Sequence, residues 1–141
     1  EMSMPGQTED IADRLKASGL RPTRQRLAIG QLLFRGPDRH VSAETLHEEV
    51  QAAGSRVSLA TVYNTLHQFT QAGLLRELAV DGAKTYFDTN TSNHSHFYFA
   101  EEGRLEDIDA TKIRVEGIPV PPEGLEITHV DIVVRLVTRQ R

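Results

Sequence analysis

The clearest pattern of apolar and polar positions in the chain runs over residues 58–73. Four apolar side chains recur there at helical spacing and predict one buried stripe: Leu59, Val62, Leu66 and Phe69. The opposite face is small or hydrogen-bonding and carries no acid: Ser58, Ala60, Thr61, Tyr63, Asn64 and Gln68. Ser58 suits an N-cap and Gly73 a C-terminal stop, so the pattern predicts a helix over 58–72. A DNA major groove accepts a helix face of this chemistry.

Similar patterns predict three helices earlier in the chain, over residues 8–18, 23–34 and 42–53. Gly19 closes the first, Pro22 separates it from the second, and Ser42 caps the third. The third helix and the helix over 58–72 are joined by a short connection. These two helices are therefore predicted to form a helix-turn-helix, with the second one presenting its polar face.

Strand-like segments at 75–80 and 85–88 flank Asp81-Gly82, which is a strong hairpin signal. A hairpin directly after a helix-turn-helix predicts a winged helix, with Lys84 at the hairpin tip where it can meet a phosphate. The predicted class is therefore α+β. A winged-helix DNA-binding domain spans 1–88, a polar hinge 89–93, and a small α/β dimerisation and ligand-sensing domain 94–141.

The second predicted domain has strand candidates at 96–99, 104–108 and 126–137, the last rich in β-branched residues. It is too short to bury a good core alone, which favours a homodimer formed through its sheet.

Composition and charge narrow the class further. The chain has 141 residues and no cysteine, which rules out disulfides and thiolate metal sites. No apolar run is long enough for a membrane helix, so we expect a cytoplasmic protein with no membrane partner.

The net charge is −4, yet residues 14–39 hold many bases against the single acid Asp38: Arg14, Lys16, Arg21, Arg24, Arg26, Arg35 and Arg39. This asymmetry predicts a basic contact surface, although a solvated helix face would give the same pattern.

His94 and His96 are the strongest candidates for ligand chemistry. Two positions apart on a strand, they point to the same side and could address one metal ion or one haem. The alternative is a pair of exposed hinge histidines. Three further side chains are candidate ligands: His40, Asp88 and Asp107. A set of nitrogen and carboxylate ligands suits Zn, Mn or Fe(II). His47 and His67 are interpreted as solvated residues on helix surfaces.

Several segments together resemble the ferric uptake regulator (Fur) family, in order and over nearly the whole chain. They are LKASGLRPTRQRLAI, HVSAETLHEEV, SLATVYNTLHQFTQAGLL, GAKTYFDT and HSH. LRPTRQR, SLATVYNTL, DGAKTYFDTN and EITHVDIVVRL are most similar to its iron response regulator (Irr) branch. The resemblance implies a dimeric regulator of iron and haem metabolism that binds A/T-rich palindromic operators when iron is scarce. Haem would release or inactivate it, whereas the wider family uses a divalent metal as corepressor.

The resemblance also implies a role for particular residues. The family's inter-domain metal site falls on His40, Asp88, His94, His96 and Asp107, and the Irr haem motif falls on His94 and His96. Tyr63 matches the family's base-contacting tyrosine, with Ser58, Thr61 and Asn64 beside it. Arg24 and Arg26 would meet the DNA backbone, and Lys16 or Arg21 the narrow minor groove of A/T-rich sequence.

The chain departs from the family pattern at several positions. It lacks the paired cysteines of the structural zinc site and the Cys-Pro haem motif, and Leu136 stands where the second metal site needs a histidine. Asp88 and Asp107 replace the more usual glutamates, and Ser95 replaces the central histidine of the haem motif. Any haem response must therefore run through histidine.

Three functions compete on the sequence alone. The leading hypothesis is an Irr-like, haem-responsive regulator, and the second is a Fur-like or manganese-responsive repressor that requires Fe or Mn. The third is a metal-dependent hydrolase using His94, His96 and a carboxylate. Because the sequence has neither a phosphate-cradling glycine loop nor a nucleophile motif, we do not expect an enzyme.

Overall fold

The computed structural model describes residues 7–81 and 84–140. The chain divides into two compact units between Thr91 and Ser92. This division falls inside the segment 89–93 that the sequence predicts as a hinge. The predicted domain limits and the hinge role of 89–93 stay predictions.

The first unit contains four helices, one short strand and a hairpin. The helices are α1 (Gln7–Ala17), α2 (Arg24–Phe34), α3 (Ala43–Ala52) and α4 (Leu59–Gln71). The strands are β1 (His40–Val41), β2 (Arg76–Asp81) and β3 (Lys84–Asp88). This order is that of a winged helix, as predicted, with the two helices α3 and α4 joined by a short turn. The Gly82-Ala83 part of the predicted hairpin turn lies outside the described residues.

Capping side chains set where the helices of the first unit begin. Thr23, Ser42 and Ser58 are the N-caps of α2, α3 and α4, and each hydroxyl accepts from the backbone N–H three residues later. This contact satisfies an N–H that the first helical turn leaves unpaired. After α4 the chain turns away at Gly73, whose φ of +83° favours glycine.

The core of the first unit is made by the apolar stripes of its helices. Val62, Leu66 and Phe69 of α4 are fully buried, as the sequence pattern predicted. They pack with residues of the other helices and of the wing: Ile11, Leu15, Ile29, Leu33, Leu46, Val50 and Phe87. Because α4 buries this stripe, its other face remains on the surface.

The three strands of the first unit form one antiparallel sheet in the order β1-β3-β2. The hairpin strands β2 and β3 pair from Arg76 opposite Asp88 to Asp81 opposite Lys84. The strand β1 was missed in the sequence because two residues carry no periodic pattern. It pairs His40 with Asp88 and Val41 with Phe87.

The second unit contains the strands β4 (Ser95–Phe99), β5 (Arg104–Ile108) and β6 (Val133–Leu136). Their order is β5-β4-β6, with β5 antiparallel and β6 parallel to β4. The helical part of this unit, within the described residues, is one 3-10 turn at Ala110–Lys112. The predicted α+β class is confirmed.

The last strand is much shorter than the predicted 126–137, which corrects that prediction. In the parallel register, His96 lies opposite Val133 and Phe99 opposite Leu136. Since β4 itself has only five residues, positions before 132 lie beyond its start. A run of β-branched residues therefore does not become a strand where no partner strand is alongside.

Across the part of the chain that the structure describes, no helix combines the length and apolar character needed to cross a membrane.

Candidate functional site

His40 and Asp88 form a close pair in the first unit. They are register partners in the β1–β3 ladder, and His40 Nε2 lies 3.3 Å from Asp88 Oδ2. The Asp88 carboxylate is fully buried, and its Oδ1 accepts the backbone N–H of Asn90 at 2.9 Å. Burying a carboxylate is unfavourable unless hydrogen bonds or a cation compensate it. This pair therefore offers one nitrogen and one oxygen ligand at the end of the wing.

His94, His96 and Asp107 form a second cluster, in the second unit. His96 and Asp107 face each other across β4 and β5. The Nε2 atoms of His94 and His96 lie 3.2 and 3.3 Å from the same Oδ1 of Asp107. The ring centroids of the two histidines are 4.4 Å apart, and His96 is 1% exposed. Three candidate ligand atoms thus converge within 4.8 Å of one another.

The hydrogen bond of the His94 ring bears on whether this cluster fits a metal. Its Nδ1 lies 2.7 Å from the carbonyl oxygen of Ser92, a group that only accepts, so Nδ1 carries a proton. In a neutral ring, Nε2 then presents a lone pair toward the carboxylate of Asp107. Two lone pairs at this distance repel unless a cation lies between them or the ring is protonated. Metal-ligating histidines commonly donate their other N–H to a backbone carbonyl in this way.

The exposed face of α4, for which the sequence predicts DNA contact, is partly occupied by contacts within the protein. Ser58 accepts from the backbone N–H of Thr61 and donates to its Oγ1 at 3.0 Å, so both hydroxyls serve the helix cap. Asn64 is exposed and Tyr63 half-buried. The Tyr63 hydroxyl donates to Glu44 Oε2 at 2.8 Å. No residue of α4 is acidic.

Some of the predicted basic side chains are exposed, and others are hydrogen-bonded within the protein. Four of them are exposed on the first unit: Lys16, Arg21, Arg24 and Lys84. Arg26 is different, because its guanidinium donates to Gln68 Oε1 at 3.0 and 3.3 Å and to the Arg21 carbonyl at 2.9 Å. Arg26 thus ties the start of α2 to α4, in addition to any contact with DNA.

Three side-chain contacts near these sites were missed in the sequence. Glu44 contacts Tyr63 from α3, and Arg39 makes a two-pronged contact with Glu49. The interpretation of His67 as merely solvated is incomplete, because its ring stacks on Tyr63. The partners of Glu44 and Arg39 lie ten or more residues away in the chain. Such contacts leave no local signal in the sequence.

Comparison with known proteins places the chain in a family. The family model described as "Ferric uptake regulator family" matches residues 17–135. The ferric uptake regulation protein of Escherichia coli (strain K12) is 36% identical over 117 residues, covering 82% of this chain and 79% of that protein. The peroxide-responsive repressor PerR of Staphylococcus epidermidis is 28% identical over 128 residues, covering 90% and 85%.

A solved structure agrees with these matches. The ferric uptake regulator from Pseudomonas aeruginosa, determined with manganese, superposes with a TM-score of 0.69 at 28% identity. The match covers 91% of this chain and 97% of that one.

Fold and matches together define the class of protein as a winged-helix transcription regulator. The chain belongs to the ferric uptake regulator family. Members of this family are metal-dependent, dimeric, DNA-binding regulators of transcription. They are not enzymes, which confirms that expectation and removes the hydrolase hypothesis.

Proposed function

We propose that this chain is a dimeric transcription regulator whose binding to A/T-rich palindromic operators is strengthened by a divalent metal. The metal ligands are His40, Asp88, His94, His96 and Asp107. The observation that carries the proposal is the approach of the His94 and His96 Nε2 atoms to one carboxylate oxygen of Asp107. Two imidazoles and carboxylates are a donor set that suits Fe(II), Mn or Zn.

The ligands come from both units of the chain, which gives metal binding a way to control DNA binding. His40 and Asp88 belong to the first unit, and the other three ligands belong to the second. In this proposal, a bound cation would offset the negative charge of the carboxylates and would hold ligands from both units. The first unit of each protomer would then be held at a spacing that fits two half-sites of an operator.

Contacts of Arg39 connect the His40–Asp88 pair to the helix-turn-helix. Its backbone N–H donates to Thr89 Oγ1 at 2.9 Å, next to Asp88. Its guanidinium donates to both carboxylate oxygens of Glu49 on α3, at 2.9 and 2.7 Å. The hydrogen bond to Glu49 raises the pKa of Arg39 above its already high value, so the guanidinium stays positively charged. A change at the ligand pair thereby has a contact path to α3.

On the DNA side, we assign base contacts to the exposed face of α4 and phosphate contacts to its basic surroundings. The base-contacting set is Ser58, Thr61, Tyr63 and Asn64. Lys84 and Arg24 would meet phosphates, and Lys16 or Arg21 the minor groove. Because Arg26 is already bonded to Gln68, its contribution to DNA binding would include holding α4 in place.

Homodimer formation is supported by where apolar side chains are exposed. Within the described residues, every large hydrophobic side chain classed as exposed lies between 115 and 137: Val115, Ile118, Val120, Leu125, Ile127, Val130 and Val137. An apolar surface concentrated in one segment is typical of an interface between proteins. A second copy of this chain is the occupant that the family's dimeric state favours.

Haem control through His94 and His96 is the second candidate function. The His-x-His pair and the Irr-like motifs DGAKTYFDTN and EITHVDIVVRL favour it. Two axial imidazoles of one haem lie on opposite faces of the porphyrin. Here both Nε2 atoms face one oxygen and the rings are 4.4 Å apart, so joint coordination would require the pair to separate. A single ion requires no such separation, and for this reason we favour metal over haem.

Fluorescence anisotropy of an A/T-rich palindromic duplex, titrated with metal-stripped protein, distinguishes the two candidates. Adding Mn²⁺ or Fe²⁺ is expected to tighten binding at least about ten-fold, a coupling of about 1.4 kcal/mol. Haemin alone should have little effect. Binding that is strong without metal and abolished by haemin would overturn the metal proposal in favour of the Irr-like one.

The ligand assignment is tested with the same assay on the double variant His94→Ala/His96→Ala. Its operator affinity should no longer respond to Mn²⁺. The matched control is His129→Ala, which removes an exposed histidine of the same unit and should leave the response intact. A double variant that responds to Mn²⁺ like the unmodified protein would contradict the assignment.

A further inference from the structure

Glu44 and Tyr63 join the two helices of the helix-turn-helix at its surface. Glu44 is exposed in the first turn of α3, and Tyr63 lies in the first half of α4. The Tyr63 hydroxyl donates to Glu44 Oε2 at 2.8 Å. Because ionising the phenol would lose this bond, Glu44 raises the pKa of Tyr63 above its ordinary value. The hydroxyl is therefore a fixed donor toward Glu44 at neutral pH.

The Tyr63 ring also has an aromatic neighbour within α4. The His67 ring, one helical turn later, stacks on it with centroids 6.3 Å apart and planes at 19°. The wing holds His67 in turn. Phe87 meets its ring edge-on at 5.8 Å, and Glu77 Oε1 lies 3.5 Å from its Nδ1. The phenol thus contacts α3 through its hydroxyl, and its ring stacks on a histidine that the wing also contacts.

An exposed carboxylate has two consequences on a surface that faces DNA. It repels a phosphate that approaches it, since like charges a few ångströms apart disfavour each other. It also accepts hydrogen bonds from base amino groups, cytosine N4 and adenine N6, in the major groove. A carboxylate therefore weakens binding to DNA in general through charge repulsion. On a duplex that presents a base amino group opposite it, the carboxylate also gains a hydrogen bond.

We propose that Glu44 is a specificity-determining residue of this regulator. Its hydrogen bond positions the Tyr63 ring for contact with a thymine methyl. Its carboxylate can accept a hydrogen bond from a base amino group and repels a phosphate. The residue lowers affinity for DNA in general and raises discrimination in favour of the operator. This inference rests on the DNA-binding function proposed above.

The variant Glu44→Gln tests the inference, because glutamine keeps the shape of the side chain and removes its charge. Binding is measured to an A/T-rich palindromic duplex and to a scrambled duplex of the same composition, both with Mn²⁺ present. Affinity for the scrambled duplex should rise. The operator-to-scrambled affinity ratio should fall by on the order of ten-fold, the size of one specific base contact.

Glu48→Gln is the matched control, since Glu48 is also exposed on α3, one turn later. This variant loses the same charge and should tighten binding to both duplexes while leaving their affinity ratio unchanged. If Glu44→Gln behaves like Glu48→Gln, Glu44 contributes only general charge and the inference is wrong.

A double-mutant cycle with Tyr63→Phe separates positioning from a direct contact of Glu44 with DNA. If Glu44 acts partly through the Tyr63 hydroxyl, the effects of Glu44→Gln and Tyr63→Phe on the affinity ratio are not additive. Additive effects would overturn the positioning role. If the unmodified protein does not bind the operator, the proposed function is wrong as well. If the unmodified protein binds it and Glu44→Gln leaves the operator-to-scrambled affinity ratio unchanged, only this inference is wrong.

Discussion

At the scale of single residues, the phenol of Tyr63 links stability to alkaline pH. Its folded-state pKa is raised by the hydrogen bond to Glu44, relative to about 10 in an unfolded chain. The stabilising contribution of this bond is therefore fully present below pH ~10. It is lost as the pH rises through the higher folded-state pKa.

This linkage predicts how Tyr63→Phe differs from the unmodified protein. Urea unfolding should show a lower stability for the variant at neutral pH. The difference should shrink as the pH rises from ~10 through the folded-state pKa, above which both proteins lack the bond. Tyrosinate absorbance, followed in parallel, should lose one alkaline transition in Tyr63→Phe. A stability difference that stays constant up to high pH would contradict the assignment of this bond.

The same residues indicate what a sequence reveals about a site. His94 and His96 could be singled out because residues two apart on a strand point to the same side, although β4 begins only at Ser95. The contact of Glu44 with Tyr63 spans 19 positions, and that of Arg26 with Gln68 spans 42. Such contacts depend on how helices pack, and side-chain identity does not encode packing locally. Candidate ligands were therefore predictable, whereas their partners were not.

At the scale of elements, Gly30 controls how closely α1 and α2 approach. Glycine inside a helix is normally about 1 kcal/mol less favourable than alanine. A Cβ at position 30, however, would lie 2.8 Å from Cγ2 of Ile11 in α1. Ile11 is buried and β-branched, so its side chain has little freedom to move aside. The close approach of the two helices thus requires glycine at this point of α2.

We expect Gly30→Ala to destabilise the protein by about 1–3 kcal/mol, as overpacked cores do, instead of stabilising it. Urea unfolding measures the change. Ile11→Leu removes the branch at Cβ, so the double variant should recover part of the loss. Ala28→Gly serves as the control for helix propensity in α2 and should cost about 1 kcal/mol. A more stable Gly30→Ala would show that α1 and α2 can separate without penalty.

The elements themselves were predictable where the chain carries its own boundary signals. Ser42 and Ser58 fixed the starts of α3 and α4, because a capping hydroxyl acts on the backbone three residues away. The strands β1 and β6 have no such local boundary signal, because each forms only where another strand lies alongside. A two-residue strand at His40 was invisible, and β6 was predicted too long. Local signals predict helices better than they predict strand pairing.

At the scale of the whole molecule, the exposed apolar segment 115–137 predicts a defined assembly state. Val120 is 90% exposed and Leu125 66%, values that are unfavourable for apolar side chains in water. In the homodimer proposed above, burial of this segment against a second copy would remove it from solvent. The proposed operator with two half-sites would then bind two first units at once, which would raise affinity without any new contact within a half-site.

The double variant Val120→Glu/Leu125→Glu is expected to abolish the dimer, because association would bury two added charges. Sedimentation velocity should show a monomer where the unmodified protein is a dimer. Affinity for the palindromic duplex should fall about a hundred-fold, as expected when a second linked contact is lost. Affinity for a half-site duplex should hardly change, since the first unit is untouched. Ala110→Glu adds a charge at an exposed position outside the segment and should leave the dimer intact. If the double variant remains dimeric, the interface does not include residues 120 and 125. If the dimer binds the half-site duplex as tightly as the palindromic duplex, pairing of half-sites contributes nothing to affinity.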